Sequence, residues 1–169
     1  FTSHRALRQA AIWLRANTDF NLQVQEEATR RMLLERFLSE PNSILLGAAS
    51  FWEGVDVPGK SLSIVVIDKL PFAPPDDPIL EATIKAATEK GERAFATVQI
   101  PHAVLSLKQG VGRLIRQAED FGVMVIGDPR IKTRSYGRIF LKSLPAMTEV
   151  AAVDEAIDFL YQQFDELDA

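Results

Sequence analysis

Lys108-Gln109-Gly110-Val111-Gly112-Arg113-Leu114-Ile115-Arg116 carries the densest chemistry in the sequence. Read as a helix, it places Gln109, Arg113 and Arg116 at i, i+4 and i+7, so that all three project from one face. An amide and two guanidinium groups on one face make a clamp for a polyphosphate, because Arg offers planar bidentate donors that stay charged. Gly110 and Gly112 each cost such a helix about 1 kcal/mol relative to alanine, which points to close approach of another backbone or of a ligand. The same residues also read as a solvated basic face whose glycines let the helix pack tightly on a sheet. Residue types alone leave both readings open.

A second candidate is Ser50-Phe51-Trp52-Glu53-Gly54-Val55-Asp56-Val57-Pro58-Gly59, which follows an apolar run and sets a Trp, two acids and two glycines together. Its plain reading is a tight loop with Trp52 on the core and Glu53 and Asp56 capping a neighbouring helix. Its functional reading is a ligand loop. Other chemistries are excluded by content. The chain has no cysteine, so disulfides, Cys-ligated zinc and iron–sulfur ligation within these residues are ruled out. His4 and His102 lie 98 positions apart and outside any ligand spacing, so no metal site is expected.

The elements that position these candidates follow from periodicity. Arg5 to Ala16 and Gln25 to Leu38 carry apolar residues at helical spacing. Ser43 to Ala49, Leu62 to Asp68 and Gly122 to Asp128 are short apolar runs, the pattern of strands covered on both faces and hence of a parallel sheet. Helices are expected at Asp77 to Lys90, with Asp77 as cap and Pro78 in the first turn, and at His102 to Gln117. Strands alternating with helices define an α/β fold built on an open, mainly parallel sheet with helices on both faces. In such sheets ligands bind beyond the carboxyl ends of the strands. Residues 1–145 read as one such domain. Residues 146–169 read as an amphipathic helix with Val150, Val153, Ile157, Leu160, Phe164 and Leu167 on one seam.

The 169 residues suffice to bury a core, and the net charge of −4 hides an uneven distribution. Between Lys108 and Lys142 eight basic residues face three acidic ones, while Ala146 to Ala169 holds seven acids and no base. A globally acidic chain thus carries a local basic stretch suited to phosphate. Arg130, Lys132, Arg134 and Arg138 in that stretch read first as a solvated loop and helix, with extension of a phosphate track as the alternative. No apolar run is long enough for a membrane span, and the opening residues lack a signal-peptide layout, so the cytoplasm and no membrane partner are expected.

The motifs carry a resemblance. Gln109-x-x-Gly112-Arg113-x-x-Arg116 resembles the last motif of superfamily 2 helicases. Ser50-Phe51-Trp52-Glu53-Gly54-Val55-Asp56 is similar to the preceding motif in the bacterial DinG and YoaA branch of the XPD-like DNA helicases. Phe1-Thr2-Ser3-His4-Arg5 resembles the end of the strand and loop that open that family's second motor domain. Lys69 to Pro78, between the motifs, resembles the YoaA form. The likeness runs from Phe1 to about Pro145, in the family's order and spacing.

The resemblance implies a RecA-like second motor domain of an ATP-dependent DNA helicase, coupling hydrolysis to movement on single-stranded DNA and to unwinding in repair or replication. It implies that Arg113 and Arg116 line an ATP cleft, with Arg116 as the arginine finger on the γ-phosphate, where charge develops in the transition state. It places Gln109, Gly112, Gly54 and Asp56 on the nucleotide side, and Thr2, Ser3, His4, Ser50, Phe51 and Trp52 on the DNA side. Thr2, Ser3 and His4 would meet phosphates and Trp52 a base, core packing being the alternative for Trp52.

ATP and Mg²⁺ would be held mainly by the N-terminal motor domain of the same protein, which in this branch also bears a four-cysteine iron–sulfur cluster. Nothing here matches a Gly-x-x-x-x-Gly-Lys-Ser/Thr loop, so these residues alone are expected to be inactive. The family's opening strand has several residues before Phe1, so the sheet is expected to lack a strand's worth of pairing. Beyond about Met147 the likeness fades, and the acidic helix is expected to pack on its own domain or to dock a repair or replication protein. The alternative to a motor is a stand-alone nucleotide-binding or protein-interaction module.

Overall fold

The computed structural model describes residues 1–48, 51, 57, 61–74, 76–112, 114, 115 and 120–168. Ser3 starts the first helix, its hydroxyl accepting the Ala6 N–H at 3.2 Å. The helix, α1 (His4–Asn17), buries Leu7 and Ala11 as its periodicity predicts. They pack on Val24 of β1 (Asn21–Val24) and on Leu46 of β2 (Ser43–Leu46). These strands pair in parallel, Asn21 opposite Ser43 and Val24 opposite Leu46. Between them runs α2 (Arg30–Ser39), capped by Thr29, which covers the other face through Leu33, with Leu34, Phe37 and Leu45 packed around it.

The second half repeats the theme. β3 (Ile64–Ile67) and β4 (Val123–Ile126) pair in parallel, Ile64 opposite Val123. The crossover between them begins with α3 (Pro78–Glu89), where the Asp77 carboxylate accepts the N–H groups of Ile79 and Leu80 at 2.9 Å each, as expected of a cap before proline. A wide-wound turn over Phe95–Gln99 then leads into α4 (Ile100–Val111). α4 buries Ile100, Ala103, Leu107 and Val111 against Ile67, and the cluster is closed by Ile131 of α5 (Arg130–Thr133) and Phe140 of α6 (Gly137–Ser143).

The last helix, α7 (Val153–Asp168), sets Phe159 and Phe164 edge-on against Phe121, at 6.4 and 5.3 Å between ring centroids. Val153, Ile157 and Tyr161 stay exposed, so part of its seam is uncovered.

The strands are parallel, as their apolar runs predict, but three expectations need correction. The helix expected from Gln25 begins at Arg30. Glu26 takes a left-handed φ of 82°, and the Gln25 N–H is bonded to the Leu46 carbonyl at 2.9 Å, extending the strand direction instead. The helix expected to reach Gln117 ends at Val111, where Gly112 closes the last turn and the Leu114 N–H bonds the Val111 carbonyl at 2.9 Å. Two glycines within three positions weaken a helix at that point.

Coverage of both sheet faces holds for β1 and β2 but not for β3 and β4. There Val65, Ile67, Met124 and Ile126 face α4, while Ile64, Val66 and Val125 are 47%, 64% and 43% exposed.

Among the described residues no ladder joins β2 to β3. Phe1 and Thr2 sit between the carboxyl ends of those strands. The Phe1 amine donates to the Gly47 carbonyl at 2.8 Å, and the Thr2 N–H to Asp68 Oδ1 at 2.9 Å.

Candidate functional site

The carboxyl ends of the strands gather several of the expected residues. The Asp68 carboxylate, just past β3, accepts the Thr2 N–H and, at 3.5 Å, the Thr2 hydroxyl. Ser3 is engaged as the cap of α1. His4 is half exposed, with Nδ1 3.0 Å from Glu26 Oε1, and Glu26 also accepts from Arg8 at 2.8 Å. The Arg8 hydrogen bond holds the Glu26 carboxyl below the usual range. Thr2, Ser3 and His4 are therefore brought together at one corner. Their side chains are fixed by intramolecular partners, while Ser3, His4 and Arg5 remain exposed to solvent.

A second carboxylate braces the same edge. Asp128 is 3% exposed and follows β4. Its oxygens accept the Leu70 N–H at 2.9 Å, the Arg130 N–H at 3.0 Å and the Arg130 guanidinium at 2.6 Å. Those bonds, the guanidinium's foremost and burial opposing them, lower its pKa to about 2, so the carboxylate is charged throughout the physiological range. Arg130 in turn lies over the Phe72 ring at 5.4 Å. Gln25, past β1, accepts the Ala48 N–H through its side-chain oxygen at 2.6 Å and so fixes the entrance to the loop that follows β2.

Phe51, expected to face DNA, lies instead in the core. It is 5% exposed, packed with Leu33 and Val57, seated against the Gly47 backbone and covered by the Arg30 guanidinium at 5.1 Å. An aromatic side chain gains more from this burial than from a solvated face. Ser50, Trp52, Gly54, Asp56, Arg113 and Arg116 lie outside the described residues. Gln109 is exposed on the last turn of α4, and Gly112 is exposed at its end. α4 ends at Val111, so the single-face geometry read for Gln109, Arg113 and Arg116 passes from that helix into residues outside the described ones.

Leu114, between the two arginines in sequence, is buried at the amino end of β3 and β4. A Cβ placed on Gly122 would fall on the Leu114 side chain and 2.8 Å from the Ser63 carbonyl. That same carbonyl accepts the Val123 N–H. Leu114 thus lies at the edge opposite the Thr2–His4 corner, whereas the fold class places ligands at the carboxyl edge.

Sequence reasoning missed Asp68, Asp128 and Gln25 as residues that position others. A signal existed for the two acids: each is the polar residue that ends an apolar run. Among the described residues no group of three or more His, Cys, Asp or Glu side chains could hold a metal ion, and no helix is long and apolar enough to cross a membrane.

Comparison with known proteins adds an independent line. The helicase C-terminal domain family matches residues 1–147. The chain is 46% identical over 159 residues to the ATP-dependent DNA helicase YoaA of Haemophilus influenzae, covering 94% of this chain and 25% of that protein. It is 47% identical to the YoaA helicase of Escherichia coli over the same shares. Against the 3'-5' exonuclease DinG of Bacillus subtilis the identity is 40% over 163 residues, 94% of this chain and 18% of that protein. The chain therefore spans about a quarter or less of the length of these relatives.

Proposed function

Because the chain belongs to the helicase C-terminal domain family, whose fold is RecA-like α/β, we propose that it is the second motor domain of an ATP-dependent DNA helicase of the DinG and YoaA type. In this reading it couples ATP hydrolysis to translocation on single-stranded DNA and to unwinding in repair or replication, in the cytoplasm. The family match over residues 1–147 carries the proposal. The parallel strands and the Thr2–His4 corner at their carboxyl ends support it.

Arg116 is the finger on the γ-phosphate and Arg113 its neighbour in the cleft, with Gln109, Gly112, Gly54 and Asp56 on the nucleotide side. Thr2, Ser3 and His4, with Ser50 and Trp52, follow the DNA strand. Phe51 supports their loop from below. ATP supplies the phosphoryl group whose transfer drives the cycle. It is held, with Mg²⁺, mainly by the N-terminal motor domain of the same protein, where the iron–sulfur cluster also belongs. A finger presented by a separate domain makes turnover depend on closure, which ties hydrolysis to stepping. The uncovered part of α7 is offered to a repair or replication protein.

In the full-length enzyme, Arg116→Ala should lower DNA-stimulated ATP turnover by about 10³- to 10⁵-fold while single-strand binding persists. Retained turnover would remove Arg116 from this role.

A further inference from the structure

Four aromatic rings from three segments meet beyond the carboxyl ends of β3 and β4. Phe72 follows β3. Phe95 opens the wide-wound turn before α4. Tyr136 and Phe140 flank the start of α6. Phe72 and Phe95 stack at 5.8 Å with 20° between their planes, and Tyr136 meets Phe95 edge-on at 5.4 Å and Phe72 at 5.8 Å. Phe140 closes the group from the core side and is fully buried. Phe95 does not share that burial: with Phe72 on one face and Tyr136 at its edge, it is still 45% exposed.

Every segment that brings a ring also brings cations. Arg130 lies over Phe72, Arg93 precedes Phe95 by two positions, and Arg134 and Arg138 bracket Tyr136. Arg93, Arg134 and Arg138 are exposed. Asp128, beside Arg130, is buried and committed to Arg130 and the Leu70 N–H, while exposed Glu92 adjoins Arg93. A half-exposed ring on segments that also carry exposed arginines fits a stacked base flanked by phosphates better than it fits a hydrophobic protein surface.

The platform is also continuous with the Thr2–His4 corner. Thr2 is held by Asp68, two residues on Leu70 is held by Asp128, and Asp128 holds Arg130 over Phe72. These contacts run along one edge of the sheet without a break.

We propose that Phe95, backed by Phe72 and Tyr136 and flanked by Arg93, Arg134 and Arg138, is a stacking platform for one base of a single-stranded nucleic acid, extending the track beyond Thr2–His4. The inference rests on the reading of this domain as part of a DNA motor. The platform takes any base, because stacking uses the π-face that all bases share. The phosphates on either side of that base meet the three flanking arginines.

The test is binding of a fluorescein-labelled oligothymidylate to the full chain at low salt, read by anisotropy. Phe95→Leu should weaken binding about 5- to 150-fold, the range for loss of one base–aromatic stack, with an unchanged slope against salt because no charge is removed. Phe95→Trp should restore affinity, and its added emission should be quenched on binding. Arg134→Gln with Arg138→Gln should instead lower the salt slope. The melting temperature of Phe95→Leu should stay near that of wild type, as suits a half-exposed ring. Wild-type affinity in Phe95→Leu would overturn the platform and leave the motor reading intact, since the Arg116→Ala turnover assay does not involve Phe95. Absence of oligothymidylate binding by the wild-type chain would overturn both the platform and the Thr2–His4 track.

Discussion

Replacing Asp128 by Asn keeps the volume of the side chain and removes its charge, and the structure sets what that should cost. The carboxylate is 3% exposed and accepts two backbone N–H groups and a guanidinium, which together lower its pKa from an ordinary 3.8 to about 2. At about 1.4 kcal/mol per pH unit, that difference corresponds to roughly 2 kcal/mol of folding stability. The sign follows from linkage. A carboxyl depressed in the folded state contributes fully above its unfolded value, near pH 4 and higher. The contribution is lost as pH falls through the folded value near 2.

Asp128→Asn should therefore be less stable than wild type by roughly 2 kcal/mol at neutral pH, a fall in Tm of about 4–8 °C for a chain of this size. The gap should shrink below pH 4 and be nearly closed near pH 2. Urea denaturation followed by circular dichroism, repeated at several pH values for both proteins, measures it. A difference that stays constant from pH 7 down to pH 2 would refute the reasoning, because it would mean that the carboxylate acts by shape and not by charge.

Two substitutions probe other parts of the fold. Gly137→Ala would bring a Cβ onto the Ile131 carbonyl, where only backbone can yield. The expected loss is at least the 1–3 kcal/mol typical of overpacking, read from the urea midpoint. Phe51→Ala should cost about 3–5 kcal/mol through the cavity it leaves among Leu33 and Val57, whereas Phe51→Leu should restore most of the stability and leave affinity for single-stranded DNA unchanged. A DNA affinity that falls in Phe51→Leu while stability holds would return the ring to the DNA face.

Much of the architecture was legible because it rests on local rules. The periodic stripe of α1, the Asp77-Pro78 start of α3 and the apolar runs of β2, β3 and β4 each state their own structure. β1 was not legible. Asn-Leu-Gln-Val is short and half polar, and it is stabilised by contacts that no window of sequence contains: the buried Gln23 amide donates to Glu40 at 2.9 Å, and the strand pairs with residues more than twenty positions away. The end of α4 was misplaced for the opposite reason. The motif spacing fits a helix well, and Gly110 inside it and Gly112 at its end signal close packing as readily as a stop. In the site, the Thr2–His4 corner was visible from resemblance, but Asp68 and Asp128 were not, because a residue that positions a neighbour leaves no mark in motif spacing. Phe51 is hard to place from sequence, because an aromatic residue beside a ligand loop reads the same whether it points up at the ligand or down into the core.

The placing of Thr2 and Leu114 at opposite edges of the sheet bears on how a change at one edge would reach the other. β3 spans about 10 Å from Ile64 to Ile67, with Asp68 and its hold on Thr2 at one end and the Leu114–Ser63 contact at the other. The strand is held in a ladder with β4 and packed through Ile67, which links its two ends. A second connection joins the same two edges. Phe51 sits against Gly47 at the carboxyl end of β2, and Val57 shares its cluster with Leu62, which leads into β3. A shift at the Thr2 corner that displaced Asp68 would therefore act on Leu114 through a strand, and one that displaced Gly47 would act on Val57 through a packed ring. The second route runs through Phe51 and Val57, which are almost completely buried, and it is this close packing, which yields in steps and not by degrees, that would carry a shift from one edge to the other.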